Sequence, residues 1–307
     1  MGTIFVNKNK QVRSGWKISS TFFSFFIGVN ILVSIFEIIY ASIMVATKKI
    51  TPEEMINFLK SITGLNTGFG IFLSILQCII MIFFVVLFWK VYDKKPIGDI
   101  GLINIKKGYM DLLKGLAYGA ISLTIVFIIL YVSGNIVLVN TLANPHIGSF
   151  LLSGLAVFIL VGINEEMFAR GYCMTVLKQT GNKWVVIVVS SAIFALMHSL
   201  NPAMSWLSYL NLFLFGVFTA YMFIKSKNLW LSIGYHITWN YFEGNIFGFQ
   251  VSGEETQAIY NVRSVGNNII TGGKFGPEGG LIVTFILVIG FIYLWKIYKP
   301  QKLDNVG

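Results

Sequence analysis

Apolar runs of roughly 20 residues recur along this chain, and that is the length an α-helix needs to cross a hydrocarbon core at 1.5 Å per residue. Inside lipid every backbone N–H and C=O must be satisfied within its own segment, so runs of this kind can fold only as helices. The chain has 307 residues, 55% of them hydrophobic and 12% charged, with a mean hydropathy of +0.74. A soluble core does not account for that many long apolar segments. The expected fold class is therefore all-α, a polytopic membrane helical bundle of about eight transmembrane helices. They are predicted at about 19–45, 69–92, 112–133, 149–178, 184–200, 203–224, 229–249 and 280–298. Trp184 marks the start of the fifth, and Trp295 with Tyr298 the end of the last, because these amphipathic rings suit the interface.

The net charge of +10 does not point to nucleic acid, because the lysines cluster at the ends of apolar segments rather than along a stripe with interleaved aromatics. They read as topology determinants and as contacts to anionic lipid. Lys8, Lys10, Arg13 and Lys17 precede the first apolar run; Lys90, Lys94, Lys95, Lys106, Lys107 and Lys114 lie between or at the facing ends of the second and third. Lys178 and Lys183, Lys225 and Lys227, and Lys296, Lys299 and Lys302 continue the same side. The alternate loops carry less positive charge, notably around Asn144-Pro145-His146, which places both termini in the cytoplasm. The loop at 47–67, with Lys48, Lys49 and Lys60, is the one vote against.

The first apolar run is too long for the core of a signal peptide, so it reads as a retained span. Composition rich in Ile, Lys and Phe fits a bacterial plasma membrane. Cys78 and Cys173 lie in apolar or membrane-edge sequence and read as packing residues. Short connections argue for a single membrane-embedded domain over residues 1–307. The exception is an external Gly-rich loop at 251–280, where Pro277 and Glu278 suit the first turn of the last helix.

Charged side chains at bilayer depth are costly and therefore point to function. Glu165 and Glu166 sit inside an apolar stretch with Arg170. Glu166 and Arg170 are four apart on one helical face, acid before base, as favours pairing. Glu165, rotated by about 100°, is left without that partner, the condition in which a buried carboxylate is free to act as a general base or acid. A single buried network of both acids with Arg170 is the structural alternative. His198 and His236 fall in apolar segments, and Asn240 lies one turn beyond His236 on the same face. An imidazole and a carboxamide so placed can point together at a developing oxyanion. Glu165 near the middle of its helix, His198 somewhat outside the midplane and Asn240 near it again can meet at one depth.

Glu165-Glu166-x-x-x-Arg170, Phe194-x-x-x-His198 and His236-x-x-x-Asn240, in that order on separate apolar segments, resemble the CAAX protease and bacteriocin-processing family of intramembrane endopeptidases. The resemblance extends over roughly residues 97–250, taken as the core carrying the motifs; Ala169 stands where many members have a larger apolar residue. It implies hydrolysis of a peptide bond in a hydrophobic or lipidated peptide or protein. By the same resemblance Glu165 and His198 activate the attacking water, His236 and Asn240 form the oxyanion hole, and Glu166 and Arg170 hold the site in shape.

Glu165, His198 and His236 are also a plausible catalytic zinc set with one open position, although no His-Glu-x-x-His motif is present. Both a glutamate-type mechanism, with no cofactor, and a zinc-dependent one stay open, the first preferred. A proton-coupled transporter would predict internal repeats or paired broken helices, which the sequence lacks. A non-proteolytic membrane partner, such as a bacteriocin-immunity or scaffold protein, has no reason to hold two carboxylates at this depth. Glu243, seven residues beyond His236, returns to nearly the same face, where pairing with the loop at 251–280 is its expected role.

Overall fold

Polar caps mark where the long apolar segments begin. The Thr67 side chain accepts from the Gly70 N–H at 3.0 Å, Asn104 from Lys106 at 2.9 Å and Asn182 from Trp184 at 2.9 Å. Ser205 and Ser208 form a reciprocal capping box. Each cap satisfies donors that a helix leaves unpaired in its first turn. The chain was described as a computed structural model, which covers residues 3–266 and 268–297 and divides into two compact units between Lys94 and Lys95.

The first unit holds α1 (Ser14–Ala46), the short α2 (Met55–Ile62) and α3 (Gly68–Phe88), which runs on through a π-helical turn, Trp89–Asp93. Lys17, 1% exposed, pairs with Asp93 at 2.5 Å, tying the start of α1 to the end of α3. Farther along, Tyr40 stacks on Phe69 at 4.6 Å.

The second unit begins with α4 (Ile105–Val132), seven residues earlier than predicted, because Asn104 caps it inside the lysine-rich stretch. Next come β1 (Ile136–Leu138), α5 (Phe150–Glu166), a π-helical turn at Met167–Cys173 and α6 (Met174–Leu177). Then follow α7 (Lys183–Met197), α8 (Trp206–Ser226), α9 (Trp230–Tyr241) with a π-helical end at Phe242–Ile246, β2 (Val262–Ser264), α10 (Asn268–Thr271) and α11 (Leu281–Ile297). The strands β1 and β2 form one antiparallel pair; the other elements named among the described residues are helical. The fold is an all-α polytopic helical bundle.

Five helical segments among the described residues are long and apolar enough to cross a membrane: Ser14–Ala46, Gly68–Asp93, Ile97–Val132, Phe150–Thr180 and Trp206–Ser226. Lys183–Met197 and Leu281–Ile297 are apolar but shorter. The chain is an integral membrane protein. Each predicted apolar segment overlaps one of the observed helices, and Tyr298 lies outside the described residues.

In the second unit α9 is clasped by α4 and α5. A Cβ built on Gly115 would come 2.2 Å from the Leu231 carbonyl oxygen, and one on Gly119 2.2 Å from that of Tyr235. Only glycine permits backbones to approach so closely, as in the small-residue faces of membrane helix pairs. Thr238 Oγ1 donates to the Leu116 carbonyl across this contact at 2.8 Å. The bundle thus holds α9 against its neighbours by backbone proximity, which fixes the position of the histidine that α9 carries.

Candidate active site

Glu165 and Glu166 are the last residues of α5, and the π turn starts at the next residue. Every side chain of that turn is buried, and such turns are frequent at functional sites. Glu166 is fully buried. Its Oε1 lies 3.2 Å from Arg170 Nη1 and 3.0 Å from His236 Nδ1. The same guanidinium sits 4.1 Å over the Phe194 ring, so Arg170 is held by a carboxylate on one side and an aromatic face on the other. Glu166 therefore does more than pair with Arg170: it also orients the α9 imidazole.

Glu165 points elsewhere. Its Oε2 lies 3.8 Å from His198 Nε2 and 3.8 Å from His236 Nε2, too long for direct hydrogen bonds but convergent on one point. The carboxylate keeps 19% exposure against none for Glu166. Two adjacent acids of one helix thus occupy different environments because about 100° of rotation separates them.

Hydrogen bonding orients both imidazoles. His198 Nδ1 lies 2.9 Å from the Phe194 carbonyl oxygen, which can only accept, so Nδ1 carries a hydrogen and Nε2 faces Glu165. His198 is the C-cap of α7 rather than part of a helix extending to residue 200. Pro202 disfavours helical backbone at the residue before it, and the chain turns at 198–201. His236 is 4% exposed on α9, packed against Phe215 at 5.0 Å and Phe194 at 6.0 Å between ring centroids. Asn240 follows one turn later and is 6% exposed. The structure therefore gathers Glu165, His198 and His236 around one point, with Glu166 and Arg170 behind them and Asn240 on the same helix as His236.

Among the described residues no group of three or more His, Cys, Asp or Glu side chains is arranged to hold a metal ion. The side chains that would hold a zinc ion, Glu165, His198 and His236, converge through Glu165 Oε2, 3.8 Å from each imidazole Nε2.

Glu278 was not singled out as a site residue by sequence. It was expected in the first turn of the last helix, but Pro277–Gly279 is a separate 3-10 turn and α11 starts at Leu281. The carboxylate is 6% exposed and turns inward, accepting from Trp239 Nε1 at 3.0 Å and from Ser252 Oγ at 2.5 Å. Beside it lies Glu243, fully buried, its carboxylate facing the Glu278 backbone N–H and the Trp239 indole. Glu243 thus meets the loop at another acid. The available signal was the isolated acid among the glycines of 272–280; what it binds depends on contacts that are distant in sequence.

The model of the type II CAAX prenyl endopeptidases, Rce1-like, matches residues 147–242, which contain all three motifs. Sporulation-killing factor biosynthesis protein SkfC of Bacillus subtilis (strain 168) is 28% identical over 174 residues, covering 53% of this chain and 32% of that protein. The chain thus spans about a third of the length of the curated relative it matches. No solved structure matches the chain significantly. The resemblance read from the motifs holds over the matched segment.

Proposed function

We propose that this protein is an intramembrane endopeptidase that hydrolyses a peptide bond in a hydrophobic or lipidated peptide or protein substrate. The observation that carries this reading is the approach of both imidazole Nε2 atoms to Glu165 Oε2, each at 3.8 Å. A water held among these groups can donate one hydrogen to Glu165 and the other to the His198 Nε2 lone pair. Glu165 takes the proton as the water oxygen attacks the scissile carbonyl, in the manner of a general base.

The carbonyl oxygen then becomes an oxyanion. His236 in its doubly protonated form donates through Nδ1 to Glu166 and through Nε2 to that oxyanion, the Glu166 carboxylate compensating the charge. The Asn240 amide, one turn along α9, supplies the second donor. When the C–N bond breaks, the proton held by Glu165 passes to the leaving amine. A new C–O bond replaces the C–N bond, and the carboxylate is regenerated for the next turnover.

The direct test is cleavage of farnesylated and unmodified hydrophobic peptides by the purified protein, with mass spectrometry of the products. Glu165→Ala should lower turnover by about 10²–10⁴-fold, the range for loss of a general base, with the thermal midpoint unchanged. Retained turnover in this variant would overturn the assigned role. No turnover by the parent protein on any such peptide would favour a non-proteolytic membrane partner.

A further inference from the structure

The residues that share Glu278 connect the two histidine-bearing parts of the site. On one side its Oε1 accepts from Trp239, which lies on α9 between His236 and Asn240 and has no exposed surface. The Trp239 ring packs on Phe215 at 5.7 Å, and Phe215 on His236 at 5.0 Å. On the other side Oε2 accepts from Ser252 Oγ. The Ser252 carbonyl in turn accepts from Asn201 Nδ2 at 3.1 Å, and the Asn201 N–H donates to the His198 carbonyl at 2.9 Å. A side chain of the loop at 251–280 is thus two hydrogen bonds from the turn that carries His198 and one from the helix that carries His236.

Two further features mark the arrangement as held rather than incidental. Ser252 has a φ of 49°, a left-handed conformation that costs a non-glycine residue free energy and persists only where the surroundings impose it. The Glu278 backbone is anchored too: Asn211 Nδ2, from α8, donates to the Glu278 carbonyl at 2.7 Å and to the Gly280 carbonyl at 2.9 Å. The Asn211 side-chain oxygen accepts from Thr284 Oγ1 of α11 at 2.6 Å.

We propose that Glu278, outside the matched segment 147–242, is a positioning residue that sets the spacing between His198 and the His236–Asn240 pair. This inference rests on the peptidase reading above. It acts through Trp239 on one arm and through Ser252 and Asn201 on the other, and touches no reacting atom. Truncating it frees the turn at 198–201 to move relative to α9, and a displacement of about 1 Å in a catalytic constellation can cost about 100-fold in rate.

Glu278→Ala and Glu278→Gln separate this role from simple stability. Alanine removes both arms, whereas glutamine keeps them, its carbonyl accepting from Trp239 and its amide donating to a reoriented Ser252 hydroxyl. The expected result is a fall of about 10–100-fold in kcat for Glu278→Ala with KM within twofold, and recovery of most of it in Glu278→Gln. Should the alanine variant not fold, Ser252→Ala cuts one arm without emptying a buried acid site, and its kcat should fall at least about threefold, a scale set by the same sensitivity to misplacement. Amide hydrogen exchange over residues 198–205 supplies a readout independent of turnover, and it should rise in Glu278→Ala and Ser252→Ala but not in Glu165→Ala. Unchanged exchange there, or a kcat within about threefold of the parent in Glu278→Ala, overturns the proposal. If the parent cleaves no peptide the peptidase reading fails, and the exchange result alone decides whether the clamp exists.

Discussion

Glu165 and Glu166 are neighbours in sequence with different surroundings, and Arg170 is the residue that separates them. Its guanidinium is fixed between Glu166 Oε1 at 3.2 Å and the Phe194 ring at 4.1 Å, with 1% exposure. Removing one member of a buried charge pair leaves the other uncompensated, at about 3–5 kcal/mol. Arg170→Met should therefore lower the thermal unfolding midpoint sharply. Arg170→Lys should lower it too, because a lysine ammonium cannot stack flat on Phe194 while reaching Glu166. Equal midpoints for Arg170→Lys and the parent would show that the charge alone matters. The pairing of Glu166 with Arg170 was legible because four-residue spacing sets it locally. The second partner of Glu166, His236, was not, since the two are 70 positions apart and only packing decides which imidazole nitrogen arrives. Trp239 and Glu278 were hidden for the same reason.

Among the elements, α9 matters most, because it carries His236 and Asn240 and its fit against α4 depends on glycine. Gly119→Val would drive a side chain into the Tyr235 carbonyl, where even one Cβ would stand 2.2 Å from the oxygen. Overpacking of this kind typically costs about 1–3 kcal/mol. The predicted outcome is a lower unfolding midpoint together with reduced turnover, measured on the same detergent-purified sample. Normal stability and turnover would mean that α9 can shift without disturbing the histidine. The Gly115-x-x-x-Gly119 spacing stands plainly in the sequence and is the signal that identifies this face. The π turn after Glu166 was less legible, and so was the end of α7 at Met197, five residues before Pro202. Where a helix stops depends on what its last carbonyls and the next side chains can bond.

At the scale of the whole molecule, every residue assigned to the site lies in the second unit, after Lys94. With Glu165 as the general base that takes the proton from water, turnover is expected to survive treatment with a strong chelator. Assay before and after chelation, with metal analysis of both samples, checks this; loss of activity restored by zinc would require a metal-dependent mechanism instead. By itself the sequence determined that the chain is helical and membrane-embedded, and which seven residues form the motifs. Apolar length and residue spacing act within one segment and need no knowledge of the fold. Only the tertiary structure decided that Glu166 holds His236, that both imidazoles turn their Nε2 atoms to Glu165, and that Glu278 joins the loop to α9. Those contacts link residues tens of positions apart, and their geometry follows from how closely the helices can pack rather than from any local pattern.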